Sequence, residues 1–150
     1  MTGLRRIDLP RTEPGHGSAP GSAASGLSAA STRGDAPVAS AVVIAGGMAD
    51  LCGMRADDLR DARRPLPEMV EAQGEKIFAN RDLLLAEAGL SRDRLVFARA
   101  HLVQFERLYP RVAQAWSRCI ADAPRPALSC VGVERLTRGA LVEIDFIVAA

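Results

Sequence analysis

The residues of this chain whose types suit catalysis lie close to its C-terminus. Ser129 and Cys130 are neighbours in a run of small and β-branched residues, and Glu143 and Asp145 follow further along the chain. A carboxylate can orient or deprotonate water, so Glu143 is interpreted either as an acid/base group or as an ordinary edge or interface carboxylate. Cys130 has no cationic neighbour in the sequence to favour its thiolate. We therefore interpret it as a packing residue rather than as a nucleophile.

Two strand-like runs position these residues. Residues 127–133 form the first run, residues 141–148 form the second, and Thr137-Arg-Gly supplies a turn between them, which predicts a β-hairpin. The second run alternates strictly, so one of its faces is predicted to lie in the core. The other face carries both carboxylates and is predicted to be solvated, because burying an unpaired carboxylate is costly. The predicted core residues of this run are Val142, Ile144, Phe146 and Val148.

The same two runs resemble the C-terminal signature of a known family. Pro-Ala-Leu-Ser-Cys-Val-Gly-Val, which starts at Pro126, and Val-Glu-Ile-Asp-Phe-Ile-Val, which starts at Val142, are similar to segments of the RidA/YjgF family of enamine/imine deaminases. The resemblance covers residues 26–149. It implies a chorismate-mutase-like fold, a homotrimer whose sheets form a barrel, and small-molecule clefts between adjacent subunits.

The resemblance implies a role for each residue of the signature and fails at one of them. Glu143 aligns with the glutamate that positions the attacking water, and Ser129 and Cys130 align with residues that line the cleft. The family's deaminases carry an arginine before the Ser-Cys pair, and its guanidinium binds the substrate carboxylate. That position is Leu128 in this chain, which is expected to line the cleft without binding a carboxylate.

Gly46 is a further candidate for the ligand site. The apolar run of residues 41–48 predicts a strand, and it resembles a family strand that ends in Ser-Gly-Gln, of which the central glycine is retained as Gly46. A glycine pair at the end of a strand serves either a close backbone approach or a simple turn, and both interpretations remain open. The tyrosine that the family carries near its start is replaced by Leu27.

Two helices are predicted between the strands. The first covers residues 66–89, with prolines at its entry and Gly89 as its C-terminal cap. The second covers residues 109–120, with Pro110 tolerated as the first helical residue. Residues 50–64 are polar and irregular, which indicates a solvated segment. Two helices on one face of a mixed sheet make an α+β fold.

A strand over residues 95–103 separates these helices. Its alternation places Arg99 and His101 on the face opposite to the helices, where each is interpreted as a surface residue rather than as a catalytic group. Arg125 is a cation near Leu128 in the sequence. It lies beyond Pro126, so its side chain need not reach the same cleft.

The N-terminal residues predict a tail. Residues 14–25 consist almost entirely of Gly, Ser, Ala and Pro and contain no bulky apolar residue, so they cannot offset the entropy of ordering them. We therefore predict a disordered tail over residues 1–25 and a single RidA-like domain over residues 26–150. A first strand is predicted within residues 26–35 from weak similarity to the family.

Composition excludes several classes of function. The formal net charge is only +1, which disfavours non-specific binding to nucleic acid or to a membrane surface. The three cysteines are widely separated, so no metal site, cofactor or disulfide framework is expected. No apolar stretch is long enough to span a membrane, and a cytoplasmic protein is expected.

Two hypotheses about function follow. The first is a specialised enzyme that acts on an imine, enamine or related electrophile, in a biosynthetic context, but is not an ordinary 2-aminoacrylate deaminase. The second is a non-catalytic ligand-binding or scaffold trimer, in which the missing arginine reflects lost chemistry. Ribonuclease activity, which is sometimes attached to the family, is disfavoured by the near-neutral charge.

Overall fold

The computed structural model describes residues 4–7 and 40–150 and shows a six-stranded mixed sheet with two helices on one face. The strand order in the sheet is β1-β2-β3-β6-β4-β5. All neighbouring strands are antiparallel except β4 and β5, which are parallel. The elements are β1 (Arg5–Ile7), β2 (Val42–Ala45), β3 (Met48–Met54), α1 (Val70–Ala88), β4 (Leu95–Val103), α2 (Phe105–Cys119), β5 (Ala127–Val133) and β6 (Val142–Ala149), with short 3₁₀ turns at Arg92–Arg94 and Thr137–Gly139. The predicted α+β class is confirmed.

The core lies between the sheet and the two helices. All four predicted core residues of β6 are essentially inaccessible to solvent, which confirms the alternation of that strand. Phe146 of β6 meets Phe78 of α1 edge to face, with ring centroids 5.7 Å apart, and Phe78 meets Trp116 of α2 in the same way at 5.1 Å. The buried guanidinium of Arg81 lies 4.7 Å from the Phe78 ring centroid and pairs with Asp82.

The predicted hairpin between the last two strands is wrong. β5 pairs with β4 in parallel, β6 pairs with β4 and β3, and β4 therefore separates the two strands of the expected hairpin. Residues 134–141 connect β5 to β6, and this connection is longer than the two to five residues of ordinary hairpin loops. The length allows the chain to pass over the end of β4, where Val103 donates its N–H to the Leu141 carbonyl at 3.1 Å.

A strand was missed in the segment predicted to be polar and irregular. Met48–Met54 forms β3, which pairs with β2 and β6 near the centre of the sheet. Its core-facing residues are Ala49, Leu51 and Met54. The alternation is broken between Leu51 and Met54 by a bulge that includes Gly53, whose φ of 66° is left-handed. Because the bulge adds one residue, the buried residues of this strand do not recur at every second position. A search for strict alternation therefore does not predict the strand.

The helices differ from prediction at their N-terminal ends. α1 begins at Val70 rather than Leu66, after the two prolines, and ends at Gly89 in the left-handed conformation as predicted. α2 begins at Phe105, so Pro110 lies inside the helix and not at its first position. Pro110 cannot donate to the Glu106 carbonyl, but the buried stripe of Leu108, Val112, Ala115 and Trp116 maintains the helix by tertiary packing.

The N-terminal segment pairs with the sheet where the structure describes it. Arg5–Ile7 is antiparallel to β2, so the expectation of a tail without structure does not hold for these three residues. The rest of the predicted tail and the strand predicted within residues 26–35 lie outside the described residues. The domain boundary at residue 26 therefore stays a prediction.

Two glycines allow a test of this packing: Gly74 lies inside α1, and Gly89 caps its C-terminal end. A Cβ at Gly74 would lie 3.6 Å from the Ala115 Cβ, an ordinary contact, so Gly74→Ala should raise the free energy of unfolding by about 0.5–1 kcal/mol through helix propensity. Gly89→Ala should lower it by about 1 kcal/mol, because the cap requires a left-handed residue. Urea unfolding at one fixed protein concentration measures both changes. Destabilisation by Gly74→Ala would contradict the observed helix–helix spacing.

Candidate functional site

The face of the sheet opposite to the helices carries the polar candidates. We call it the outer face, and it presents Arg99 and His101 from β4, Glu143 and Asp145 from β6, and Cys52 from β3. The register sets His101 directly opposite Glu143 and Arg99 directly opposite Asp145. Opposing residues in a sheet share a face, so Arg99 and His101 point to the same side of the sheet as the two carboxylates. The predicted polar placement of Arg99 and His101 is confirmed.

Glu143 is held from one side by a guanidinium. Its side chain is 20% exposed, and its Oε2 lies 3.4 Å from Nη1 of Arg55, which follows β3. Within the described residues, Oε1 makes no hydrogen bond. Gly53 lies next to this carboxylate, and a Cβ added there would come within 4.0 Å of the Glu143 Cδ. The β3 bulge thus brings bare backbone beside the carboxylate of Glu143.

Asp145 joins the bulge to His101. Its Oδ1 accepts the Gly53 backbone N–H at 2.8 Å, and its Oδ2 lies 4.0 Å from Nδ1 of His101. That nitrogen is buried and has no hydrogen-bond partner in the part of the chain that the structure describes. His101 is therefore placed beside two carboxylates without a hydrogen bond from its inner nitrogen. Asp145 has a clear structural role, which is to hold the bulge that flanks Glu143.

Arg55 is the functional candidate that sequence reasoning missed. Its Nη1 also donates to the Thr137 Oγ1 at 2.8 Å, and its Nε donates to Asp57 Oδ2 at 3.1 Å. Arg138 pairs with the same Asp57 and donates to the Arg64 carbonyl. Apart from Asp57, the partners of Arg55 are more than eighty residues away along the chain. No local sequence motif predicts these contacts.

Leu128 and Cys130 do not share a face with Glu143. They pair with Ala98 and Ala100 of β4, which are buried against the helices, so Leu128 and Cys130 face the helix layer. Gly132, two residues further on, confirms this orientation, because a Cβ there would meet the Phe105 side chain of α2 at 3.2 Å. β5 is the edge strand, and Leu128 remains 46% exposed on it.

Ser129 lies on the opposite side of the same strand. It pairs with Arg99 and therefore points to the outer face, on the same side of the sheet as Glu143. The sequence signature thus divides between the two faces of one chain, with Ser129 and Glu143 on one and Leu128 and Cys130 on the other. A single chain cannot close all four residues around one small ligand.

The thiols are poorly suited to nucleophilic attack. Burial raises the pKa of the Cys130 thiol above its ordinary value. The pKa of Cys52 is also raised, first by burial and then by the carboxylates of Asp145 and Asp50. A raised pKa lowers the fraction of thiolate at neutral pH. Cys130 instead packs half-buried against the core, in line with its interpretation as a small packing residue.

Gly46 lies in a turn at the far end of the sheet. Gly46 and Gly47 form the connection between β2 and β3, both with positive φ, and Gly47 accepts the Ala150 N–H at 2.8 Å. Ala150 follows the end of β6, whereas Glu143 lies near its start, so the two sites are about 20 Å apart along the strand. Within one chain, Gly46 serves as a hairpin turn and is not part of the surroundings of Glu143.

Across residues 4–7 and 40–150, no three His, Cys, Asp or Glu side chains are grouped so that they could hold a metal ion. Neither α1 nor α2 contains an apolar stretch long enough to cross a membrane.

Comparison with known proteins identifies the family to which the chain belongs. The profile of the family described as Endoribonuclease L-PSP matches residues 35–150, whereas no curated protein matches the sequence. A Rid family protein, YyfA from Yersinia pestis, superposes with a TM-score of 0.71 at 23% identity, covering 77% of this chain and 90% of that one. A candidate endoribonuclease from Thermotoga maritima gives 0.68 at 25% identity, with 79% and 90% covered. RidA from an Antarctic Psychrobacter species gives 0.69 at 24% identity, with 77% and 91% covered. The chain therefore belongs to the Endoribonuclease L-PSP family, which is the RidA/YjgF family that its C-terminal signature resembles.

Proposed function

We propose that this protein is a homotrimeric enzyme that hydrolyses an imine, enamine or related electrophile in a cleft between subunits, and that its substrate lacks the usual free carboxylate. In this reaction the oxygen of water bonds to the imine carbon while the carbon–nitrogen π electrons move onto nitrogen, which gives a carbinolamine; this then loses the nitrogen as an amine or ammonia and leaves a carbonyl group. Glu143 orients the water, accepts its proton and returns it to the leaving nitrogen. No metal or organic cofactor is needed for these steps.

The proposal rests on the exposure and the hydrogen-bond partners of the Glu143 side chain. Its side chain is only 20% exposed, one oxygen faces Arg55, and the other oxygen makes no hydrogen bond within the described residues. Glu143 lies on β6, which is an inner strand, so it is not an edge carboxylate. An enclosed carboxylate with one oxygen left to accept a hydrogen bond is suited to holding a water molecule.

The division of the signature between two faces supports a cleft shared by two copies. Glu143 and Ser129 lie on the outer face, whereas Leu128 and Cys130 lie on the helix side of the edge strand. If the edge strand of one copy meets the outer face of the next, Leu128 of one chain comes beside Glu143 of its neighbour. β5 exposes an apolar residue on each of its faces, Leu128 on the helix side and Val131 on the outer face, and both suit a contact made along the edge strand.

Leu128 determines which substrates are excluded. A carboxylate that enters the cleft must leave water, and a leucine offers it no hydrogen bond in return. Losing a hydrogen bond to a charged group costs on the order of 3 kcal/mol, which corresponds to at least a hundredfold in rate. Ordinary amino-acid imines and 2-aminoacrylate are therefore poor substrates, whereas an imine without a carboxylate avoids this cost.

A non-catalytic ligand-binding or scaffold trimer is the alternative. It is favoured by one observation, which is that Arg55 already neutralises Glu143 while the arginine of the signature is missing. Ribonuclease activity is less well supported in spite of the family's description. The outer face mixes carboxylates with the cations Arg55 and Arg99, so it does not offer the stripe of unpaired cations that binding to RNA phosphates requires.

The protein is expected to form a trimer in solution. Light scattering at micromolar concentration should give about three times the chain mass of 15.9 kDa, because the outer face and the edge of β5 need a partner. Removing the exposed apolar contact with Val131→Asp should shift the mass toward that of a single chain. A wild-type mass equal to that of one chain would remove the basis for a shared cleft.

Substrate preference is the second prediction of this section. The imine that a flavin amine oxidase releases from benzylamine has no carboxylate, and wild-type protein should speed its hydrolysis, measured against trapping by semicarbazide. The imine that an amino-acid oxidase releases from leucine should be hydrolysed at least a hundredfold less efficiently. Leu128→Arg should raise activity on the leucine imine, and Glu143→Ala in that background should abolish the gain. Wild-type activity that is equal on both imines would contradict the role of Leu128.

Mixed trimers test whether the cleft is shared. A chain with both Leu128→Arg and Glu143→Ala has the arginine without the glutamate, and the wild-type chain has the glutamate without the arginine. Neither should hydrolyse the leucine imine alone. Trimers refolded from an equal mixture should be active if residues 128 and 143 of one site come from different chains. An inactive mixture, with mixed trimers verified by native mass spectrometry, would place both positions in one chain.

A further inference from the structure

We infer that Arg55 is a positioning residue that holds the carboxylate of Glu143 in one orientation for its reaction with water. The inference rests on the proposed function and adds a residue that the family signature does not contain. Arg55 lies directly after β3, at the start of the loop that leads to α1. Its guanidinium reaches Glu143, which is the second residue of β6.

The guanidinium is held on three sides. Nε donates to Asp57 Oδ2 at 3.1 Å, and Nη1 donates to Thr137 Oγ1 at 2.8 Å and lies 3.4 Å from Glu143 Oε2. The side chain is only 27% exposed. A planar fork with fixed donor directions limits the positions that its partners can occupy. Asp57 and Thr137 thus fix the guanidinium, and the guanidinium in turn restrains Glu143.

The backbone that carries Arg55 is also fixed. Asn80 of α1 is completely buried, and its Nδ2 donates to the carbonyls of Arg55 at 3.2 Å and Asp57 at 2.9 Å. Arg138 adds a second anchor through Asp57 and the Arg64 carbonyl. The loop therefore has no freedom to withdraw Arg55 from Glu143. The two hydrogen bonds from this buried asparagine fix the position of the loop relative to α1.

The charges show why Arg55 positions Glu143 and does not bind substrate. Arg55 and Arg138 face Asp57 and Glu143, so the cluster is electrically balanced before any ligand arrives. An incoming anion would have to compete with the two carboxylates already paired with Arg55. The contact engages only Oε2, so Oε1 keeps its acceptor sites directed away from the guanidinium. Holding a reacting group in place raises the reaction rate strongly, since a displacement of about 1 Å can lower the rate on the order of a hundredfold.

A double-mutant cycle tests the inference. With the benzylamine imine, Arg55→Met should lower kcat at least tenfold while KM changes less than threefold, because the substrate itself does not touch Arg55. In a Glu143→Gln background, the same Arg55→Met change should have no further effect on kcat. Asp57 keeps Arg138 as its partner in Arg55→Met, so the loop retains one of its anchors. Arg118→Met, which removes a distant ion pair with Glu75, is the matched control and should leave kcat unchanged.

A measurement without catalysis separates the two proposals. In nitrogen-15 spectra of wild-type protein, the Arg55 Nη groups should show slow rotation, and Glu143→Gln should speed it while Glu71→Gln changes only Arg111. Equal rotation in wild type and Glu143→Gln, or the same loss of kcat from Arg55→Met in both backgrounds, would overturn the positioning role. Absence of turnover in wild type and in Leu128→Arg would instead refute the proposed enzyme, and the catalytic role of Arg55 with it.

Discussion

The alternation of β6 is the constraint on which the rest of the structure depends. β6 is hydrogen-bonded on both sides, to β3 and β4, and its apolar residues meet the helix layer. Burying each such side chain contributes about 1.5–3 kcal/mol. A shift of one residue in register would exchange these side chains for Glu143 and Asp145, so the core determines the register. The two carboxylates on the outer face are a direct consequence of that register.

Everything around Glu143 is then arranged by elements that are distant in the sequence. The bulge in β3 supplies a glycine beside it, α1 supplies the asparagine that holds the loop, and that loop supplies Arg55. Thr137, in the connection before β6, completes the contact with Arg55. Gly53 and Arg55 lie next to the carboxylate, and Asn80 and Thr137 act on it only through the position of Arg55. None of these segments contains a motif that would reveal its role in isolation.

The position of β5 at the sheet edge determines what kind of cleft is available. An edge strand exposes one side to a partner, and its side chains alternate between the two faces of the sheet. Leu128 and Cys130 are thereby directed away from Glu143 of the same chain. Leu128 makes this edge apolar, while the charged groups lie on the outer face. The chemistry proposed for the cleft depends on bringing these two surfaces together.

The sequence alone determined the fold class, the helix cap at Gly89, the faces of β4 and β6, and membership of the family. The fold class, the cap and the strand faces follow from local periodicity and from residues adjacent in the chain. Membership of the family follows from the resemblance of the C-terminal signature. The strand order, the crossover that separates β5 from β6, and the strand hidden by the Gly53 bulge were decided only by the tertiary structure. The same holds for the division of the signature between two faces and for the contact of Arg55 with Glu143. Pairing partners and ion pairs across the sheet depend on long-range packing, which leaves no periodic trace in the residues that make them.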